Sequence, residues 1–295
     1  MPTGAGAPVD CVWPAQAGLG EGPIWDAETA TLHWVDIKAG RLHRFTPASG
    51  ARHTVDVGED IGAVALRASG GLVAVLRSGF AYLDRETGGK TPIADPEPDI
   101  AGNRFNDGRV DAAGRFWAGT MDDGEREVSG ALYRLDGDGT VTRMRDGFVI
   151  SNGMGWSPDG ETMYFTDSTR RRIIAYDFDP ASGDIAGDRT FVRFGDDDGF
   201  PDGLTVDAEG GVWSALWDGH RLDRFTPEGA LDRSLPLPVP RPTSMAFGGP
   251  GLDVLYVTSA RIGLDQGALA AAPLSGGLFA VEAGIRGRAE NRFRG

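Results

Sequence analysis

A chain of 295 residues, 40% hydrophobic and 24% charged, has the balance of a folded protein with a core of its own. Its 43 acidic against 29 basic side chains give a formal net charge of -14, which argues against nucleic acid or an anionic membrane as a partner. A lone cysteine, Cys11, excludes an intramolecular disulfide, a CxxC redox pair and a cysteine-rich zinc site.

The stretch "MPTGAGAPVDCVWPAQAG" has no basic segment leading into an apolar one, and no later window runs to ~18 apolar residues, so the expectation is a soluble, cytoplasmic protein. Gly 45 and Pro 18 punctuate short apolar runs, which predicts many short strands in place of long helices.

Taken in chain order, "GPIWDAETATLHWVDI" reads as strand, tight turn and strand, and "GRLHRFTPASG" as an alternating strand running into a polar turn. The same grammar returns in "GAVALRASGGLVAVLR" with "GFAYLDRETG", "GRVDAAGRFWAGTM" with "GALYRLDGDG", and "GMGWSPDGETMYFTDS" with "RIIAYDFDPASG". It returns again in "GLTVDAEGGVWSALW" with "HRLDRFTPEG" and in "MAFGGPGLDVLYVTS" with "GGLFAVEAG". Trp34, Val73, Trp117, Tyr164, Trp213 and Tyr256 mark the second strand of each unit at spacings of 39 to 49 residues, the size of a four-stranded propeller blade. A pair of β-sandwiches would not repeat one hairpin six times at this period. The expectation is an all-β fold, a single six-bladed β-propeller domain over residues 1–295 without a linker.

In a propeller the first strand of each blade lines the central channel, and equivalent positions form one layer around the axis. Four residues before Trp25, Ala65, Val110, Trp156, Val206 and Phe247 stand Glu21, Ile61, Asn106, Asn152, Asp202 and Thr243, each expected to open its innermost strand. Two carboxylates, two carboxamides, one hydroxyl and one apolar side chain then converge at one mouth. Oxygen donors without imidazole or thiolate suit one hard divalent cation, Ca²⁺, Mg²⁺ or Mn²⁺, with Zn²⁺ less expected on ligand softness. Asp and Asn before Gly are also the commonest turn formers, so it is the shared register of four such side chains that speaks for a site.

Arg104, two residues before Asn106, is expected in the approaching loop, with donors for hydroxyls or a carboxylate. Asp107 is expected to face the other way and bond turn amides; Asp36 and Asp167 read as similar turn acceptors. Trp25, Trp34, Trp117, Trp156 and Trp213 read as packing between blades, and Trp217 and Phe200 as pocket walls.

The stretches "LGEGPIWDAETATLHWVDI", "NRFNDGRVDAAGRFWAGTM", "ISNGMGWSPDGETMYFTDS" and "FPDGLTVDAEGGVWSALW", in this order, make the chain resemble the SMP-30/gluconolactonase/LRE-like family, also called the regucalcin family. "TSARIGL" and "GGLFAV" resemble the end of its bacterial members. The resemblance implies a metal-dependent lactonase on a six-bladed propeller. Its metal is held by the Glu of "GEGP", the Asn of "SNG" and the Asp of "PDG", here Glu21, Asn152 and Asp202. It also implies substrate contacts from the Arg and second Asn of "RFND", here Arg104 and Asn106. Some animal members carry a Glu three residues after "GTM"; here "GTMDDGERE" places Gly124 there, leaving Asp122, Asp123 or Glu125 to supply that contact, in a form that looks like bacterial aldonolactonases.

The expected function is hydrolysis of a sugar-acid lactone to the free aldonic acid, as in bacterial sugar catabolism. Asp202 is the expected general base, and Arg104, Asn106, Asp122 and Glu125 the expected substrate contacts. The expected partner is the small lactone alone, and the expected assembly a monomer or weak homo-oligomer. Two other functions fit the same architecture: a calcium-dependent esterase or organophosphatase, and a calcium-binding regulatory protein without turnover. Against the first stand Arg104 and the acidic "DDGERE" loop, which suit a polyol.

Overall fold

Each of the six repeats folds into a four-stranded antiparallel sheet in the computed structural model, which describes residues 9–295. The innermost strands of blades 1 to 6 are Gly20–Asp26, Ile61–Leu66, Asn103–Val110, Ser151–Trp156, Phe200–Val206 and Pro242–Gly248. All six anchors lie on the second strands of these sheets. The fold is a six-bladed β-propeller, with one short helix, Gln266–Ala271, among the described residues.

The hairpins that carry Trp117 and Trp213 share a device. Asp111 and Asp207, fully buried at the turn, accept with one oxygen from the amides of Ala113 and Arg115 (2.9 and 3.0 Å) and of Glu209 and Gly211 (3.0 and 2.8 Å). The other oxygen accepts the indole N–H of Trp117 at 2.9 Å or of Trp213 at 2.8 Å. One carboxylate thus replaces the water lost by both the turn and the indole, so a large ring is buried without an orphaned donor. Its signature, Asp six residues before Trp in "VDAAGRFW" and "VDAEGGVW", is plain in the sequence once the partners are known.

The ring is closed by both ends of the described chain. Blade 6 takes its outermost strand, Val9–Trp13, from the start, pairing Val9 with Val281 and Cys11 with Phe279. From the other end, residues 283–295 run along the turns between first and second strands. Ala208 N–H donates to the Arg286 carbonyl (2.9 Å) and Gly287 N–H to that of Leu252 (2.7 Å), on blades 5 and 6. Arg288 Nη1 reaches the Trp156 carbonyl of blade 4 at 3.3 Å. Asn291 Nδ2 donates to the Val110 carbonyl of blade 3 at 3.1 Å, and Arg292 Nη2 pairs with Asp26 of blade 1 at 2.7 Å. Phe293, buried, exchanges backbone bonds of 2.8 Å with Leu66 and Ala68 of blade 2. This segment therefore touches all six blades.

Candidate active site

At the opposite mouth, every innermost strand loses register against its neighbour at or beside the ring position. The breaks fall between Glu21 and Ile24, Ile61 and Ala63, Phe105 and Asp107, Ser151 and Met154, Pro201 and Leu204, and Pro242 and Met245. A bulge frees the extra residue from the ladder and re-aims its side chain, so six bulges at one level build one layer of side chains around the axis. The ring residues do not all open their strands. Ile61 is first, Glu21, Asn152 and Thr243 are second, Asp202 is third and Asn106 fourth, because the blade 3 strand begins at Asn103, paired with Asp122. Arg104 accordingly lies in that strand, opposite Met121, and not in the approaching loop.

The glycines that follow Asn152 and Asp202 are not there for a turn. A Cβ at Gly153 would run into the backbone of Gly203 and Leu204, and one at Gly203 into the side chain of Ser244. Neighbouring inner strands touch backbone to backbone at this level, which only glycine permits.

A cavity of about 530 Å³ opens here. Of the residues singled out from the sequence, Glu21, Arg104, Asn106, Glu125, Asn152 and Asp202 line it, with Phe200 and Trp217 in its wall. Asp122 is not among the lining residues: its carboxylate accepts from the amides of Arg126 (2.9 Å) and Glu127 (3.1 Å) and so holds its own loop. Asp123, also named for the acidic contact after "GTM", lines the cavity, as does Lys38.

Three of the six ring side chains belong to the channel wall. Asn106 Nδ2 donates to the Ser151 carbonyl (2.9 Å) while its Oδ1 accepts from Arg104 Nη1 (2.7 Å). Thr243 Oγ1 bonds to the Gly20 carbonyl (2.5 Å) and Thr258 Oγ1 (2.9 Å), and Ile61 is apolar. Glu21, Asn152 and Asp202 differ. Asn152 Nδ2 donates to Ser168 Oγ (3.2 Å), which donates to the Pro201 carbonyl (2.7 Å), so its amide is held with Oδ1 free. Asn152 Oδ1 and Asp202 Oδ1 are buried without any hydrogen-bond partner, and Glu21 accepts only from its neighbour Gly22 at 3.1 Å.

The electrostatics match this. Burial raises the Glu21 carboxyl well above the usual range, with the charges of Asp202 and Asp107 adding to it; burial and then Asp107 do the same to Asp202. The charge of Asp107 is thus felt at the ring, although its side chain is not among those lining the cavity and its carboxylate takes the Gly108 amide at 2.7 Å. Burial raises Asp107 too, against the pull of Arg109. Buried carboxylates at 4% and 5% exposure, beside a bare carboxamide oxygen, fit a hard divalent cation in charge and donor type. Among the described residues no group of three or more His, Cys, Asp or Glu side chains is placed to hold a metal, so this mixed set of two carboxylates and an amide is the candidate.

Beside the cavity runs an ion-pair lattice. Asp123 accepts from Arg104 Nε (2.8 Å), Lys38 Nζ (2.5 Å) and Arg77 Nη2 (2.5 Å), and Asp60 accepts from the same Lys38 (2.9 Å) and Arg77 (2.7 Å).

A propeller with an oxygen-lined polar site on its axis defines a small-molecule or ion-binding propeller, distinct from one that serves only as an interaction platform. The chain belongs to the SMP-30/gluconolactonase/LRE-like family, whose region matches residues 19–261. It is 38% identical to regucalcin of Xenopus laevis over 294 residues, covering 97% of this chain and 98% of that protein. It is likewise 38% identical to 6-deoxy-6-sulfogluconolactonase of Pseudomonas putida over 289 residues, covering 97% and 98%. The solved structure of a calcium-binding protein, regucalcin, from Agrobacterium tumefaciens superposes with a TM-score of 0.92 at 33% identity, covering 98% of this chain and 97% of that one.

Proposed function

We propose that the protein is a metal-dependent lactonase that hydrolyses a sugar-acid lactone to the free aldonic acid. The observation that carries this reading is the bare, buried oxygen pair of Asn152 and Asp202 beside Glu21 in a polar cavity. The name of the Pseudomonas putida relative supports the lactone, and the calcium-binding regucalcin structure supports the ion.

Glu21, Asn152 and Asp202 would hold the divalent ion, which when bound supplies a Lewis acid for the lactone carbonyl. Asp202 is the general base: a carboxylate that gives one oxygen to a cation keeps the other to take a proton from the attacking water and return it to the departing ring oxygen. Arg104 uses Nε and Nη1 within the protein, and among the described residues its Nη2 makes no hydrogen bond, which leaves it for a substrate hydroxyl. Asn106 keeps one amide hydrogen, and Glu125 offers an acceptor across the cavity.

The test is proton release from a panel of pentono- and hexonolactones at constant pH, with protein stripped of metal and then resupplied with Ca²⁺, Mg²⁺, Mn²⁺ or Zn²⁺ in turn. Hydrolysis is expected to return with at least one ion. In Asp202→Ala kcat should fall on the order of 10³-fold, whereas Arg104→Ala should mainly raise KM. Ion binding without turnover would favour a calcium-binding protein, and turnover of aryl esters alone an esterase.

A further inference from the structure

We propose that Asp123 is a positioning residue: braced by Lys38, Arg77 and Asp60, it holds the Arg104 guanidinium with Nη2 as its open end, and so sets the affinity for the lactone and not the rate of its cleavage. The inference rests on the lactonase reading above.

Arg104 is 4% exposed, so its five donors need acceptors. Nη1 finds them on its own strand, the Phe105 carbonyl at 3.1 Å and Asn106 Oδ1 at 2.7 Å. These fix one corner of the fork. The plane of the fork is fixed only by the second corner, Nε on Asp123 Oδ1, which comes from the end of the next strand. Asp123 in turn is tied to two other blades through Lys38, just after the blade 1 strand Thr31–Asp36, and Arg77, just after the blade 2 strand Leu72–Leu76. Asp60 joins those two cations a second time.

Two observations separate positioning from the alternatives. Asp123 is 28% exposed, so it is no packing residue of the core. Both of its oxygens are already taken, Oδ1 by Lys38 and Arg104 and Oδ2 by Arg77, which leaves little acceptor capacity for a sugar hydroxyl. Burial works to raise its carboxyl, and the hydrogen bonds from Lys38, Arg77 and Arg104 outweigh it, holding Asp123 ionised far below the usual range.

The experiment is steady-state kinetics on the metal-loaded full chain, with the lactone that the parent protein hydrolyses best, for Asp123→Asn, Asp123→Glu, Arg104→Ala and the double variant Arg104→Ala with Asp123→Asn. Asp123→Asn should raise KM on the order of tenfold with kcat within about twofold, and Asp123→Glu should recover most of the loss. The double variant should be no worse than Arg104→Ala, since a brace has nothing left to hold. Unchanged KM in Asp123→Asn, a loss confined to kcat, or additive losses in the double variant would each overturn the inference. Should Asp123→Asn melt early, Asp60→Asn loosens the same brace one bond further out; it is expected to raise KM about threefold, and an unchanged KM there counts against the brace. A parent that turns over no lactone overturns the functional reading and this inference with it, whereas turnover with an indifferent Asp123→Asn overturns the inference alone.

Discussion

An amide oxygen and a carboxylate oxygen buried without partners are expensive to keep, and the chain surrounds them with glycines that let the inner strands close in. Gly153→Ala tests this at a single atom. The added Cβ meets backbone and not a flexible side-chain end, so unfolding by urea should show a loss of about 3 kcal/mol. A calcium titration should show weaker binding because Asn152 is displaced; an unaltered titration would mean that the contact does not position the amide. The three residues left with free oxygens were legible in the sequence because each lies four positions before a core anchor of its blade. Lys38 was not, and Asp123 stood only as one of three acidic residues for a single contact, since the brace the two form is an encounter of loops from three blades that no spacing records. The bulge beside Asn106 was not legible either, since no residue in "RFNDG" announces one.

Within single blades, the same task is solved by different chemistry. Blades 3 and 5 bury their tryptophans on an aspartate, while the Trp34 indole of blade 1 has no hydrogen-bond partner and stacks against His43 at 4.2 Å. That choice makes blade 1 sensitive to acid. Burial pushes His43 down from 6.5 to about 4, against the pull of Asp36, and His33, with both ring nitrogens unpartnered, down to about 4 as well. Both rings are therefore neutral in the fold while the unfolded chain takes up protons near 6.5, so their contribution to stability is complete above pH 6.5 and is lost as pH falls toward about 4. Over that window each ring should cost about 1.4 kcal/mol per pH unit. Thermal melts between pH 7 and pH 4 should show the slope, and His43→Gln should make it shallower than in the parent; identical slopes would show that another group governs the acid limb.

Across the whole molecule, the repeat announced six blades but not how the circle is fastened. The strand Val9–Trp13 can be placed in blade 6 only when its partner is known, and residues 283–295 carry no repeat at all, holding on largely through backbone carbonyls and amides that any sequence possesses. Side chains of Arg288, Asn291 and Arg292 add polar contacts, and the ring of Phe293 is buried with the hydrophobic cluster that joins blades 2 and 3. Phe293→Ala should cost about 3–5 kcal/mol in urea unfolding while leaving kcat near the parent value, because the change lies at the face away from the cavity. A stability unchanged within error would show that residues 283–295 are not a clasp.

The segment 283–295 also gives the ring two unlike faces. One is laced by this stretch of chain to all six blades, and the other carries the cavity, so anything tethered to the laced face would leave the entrance clear.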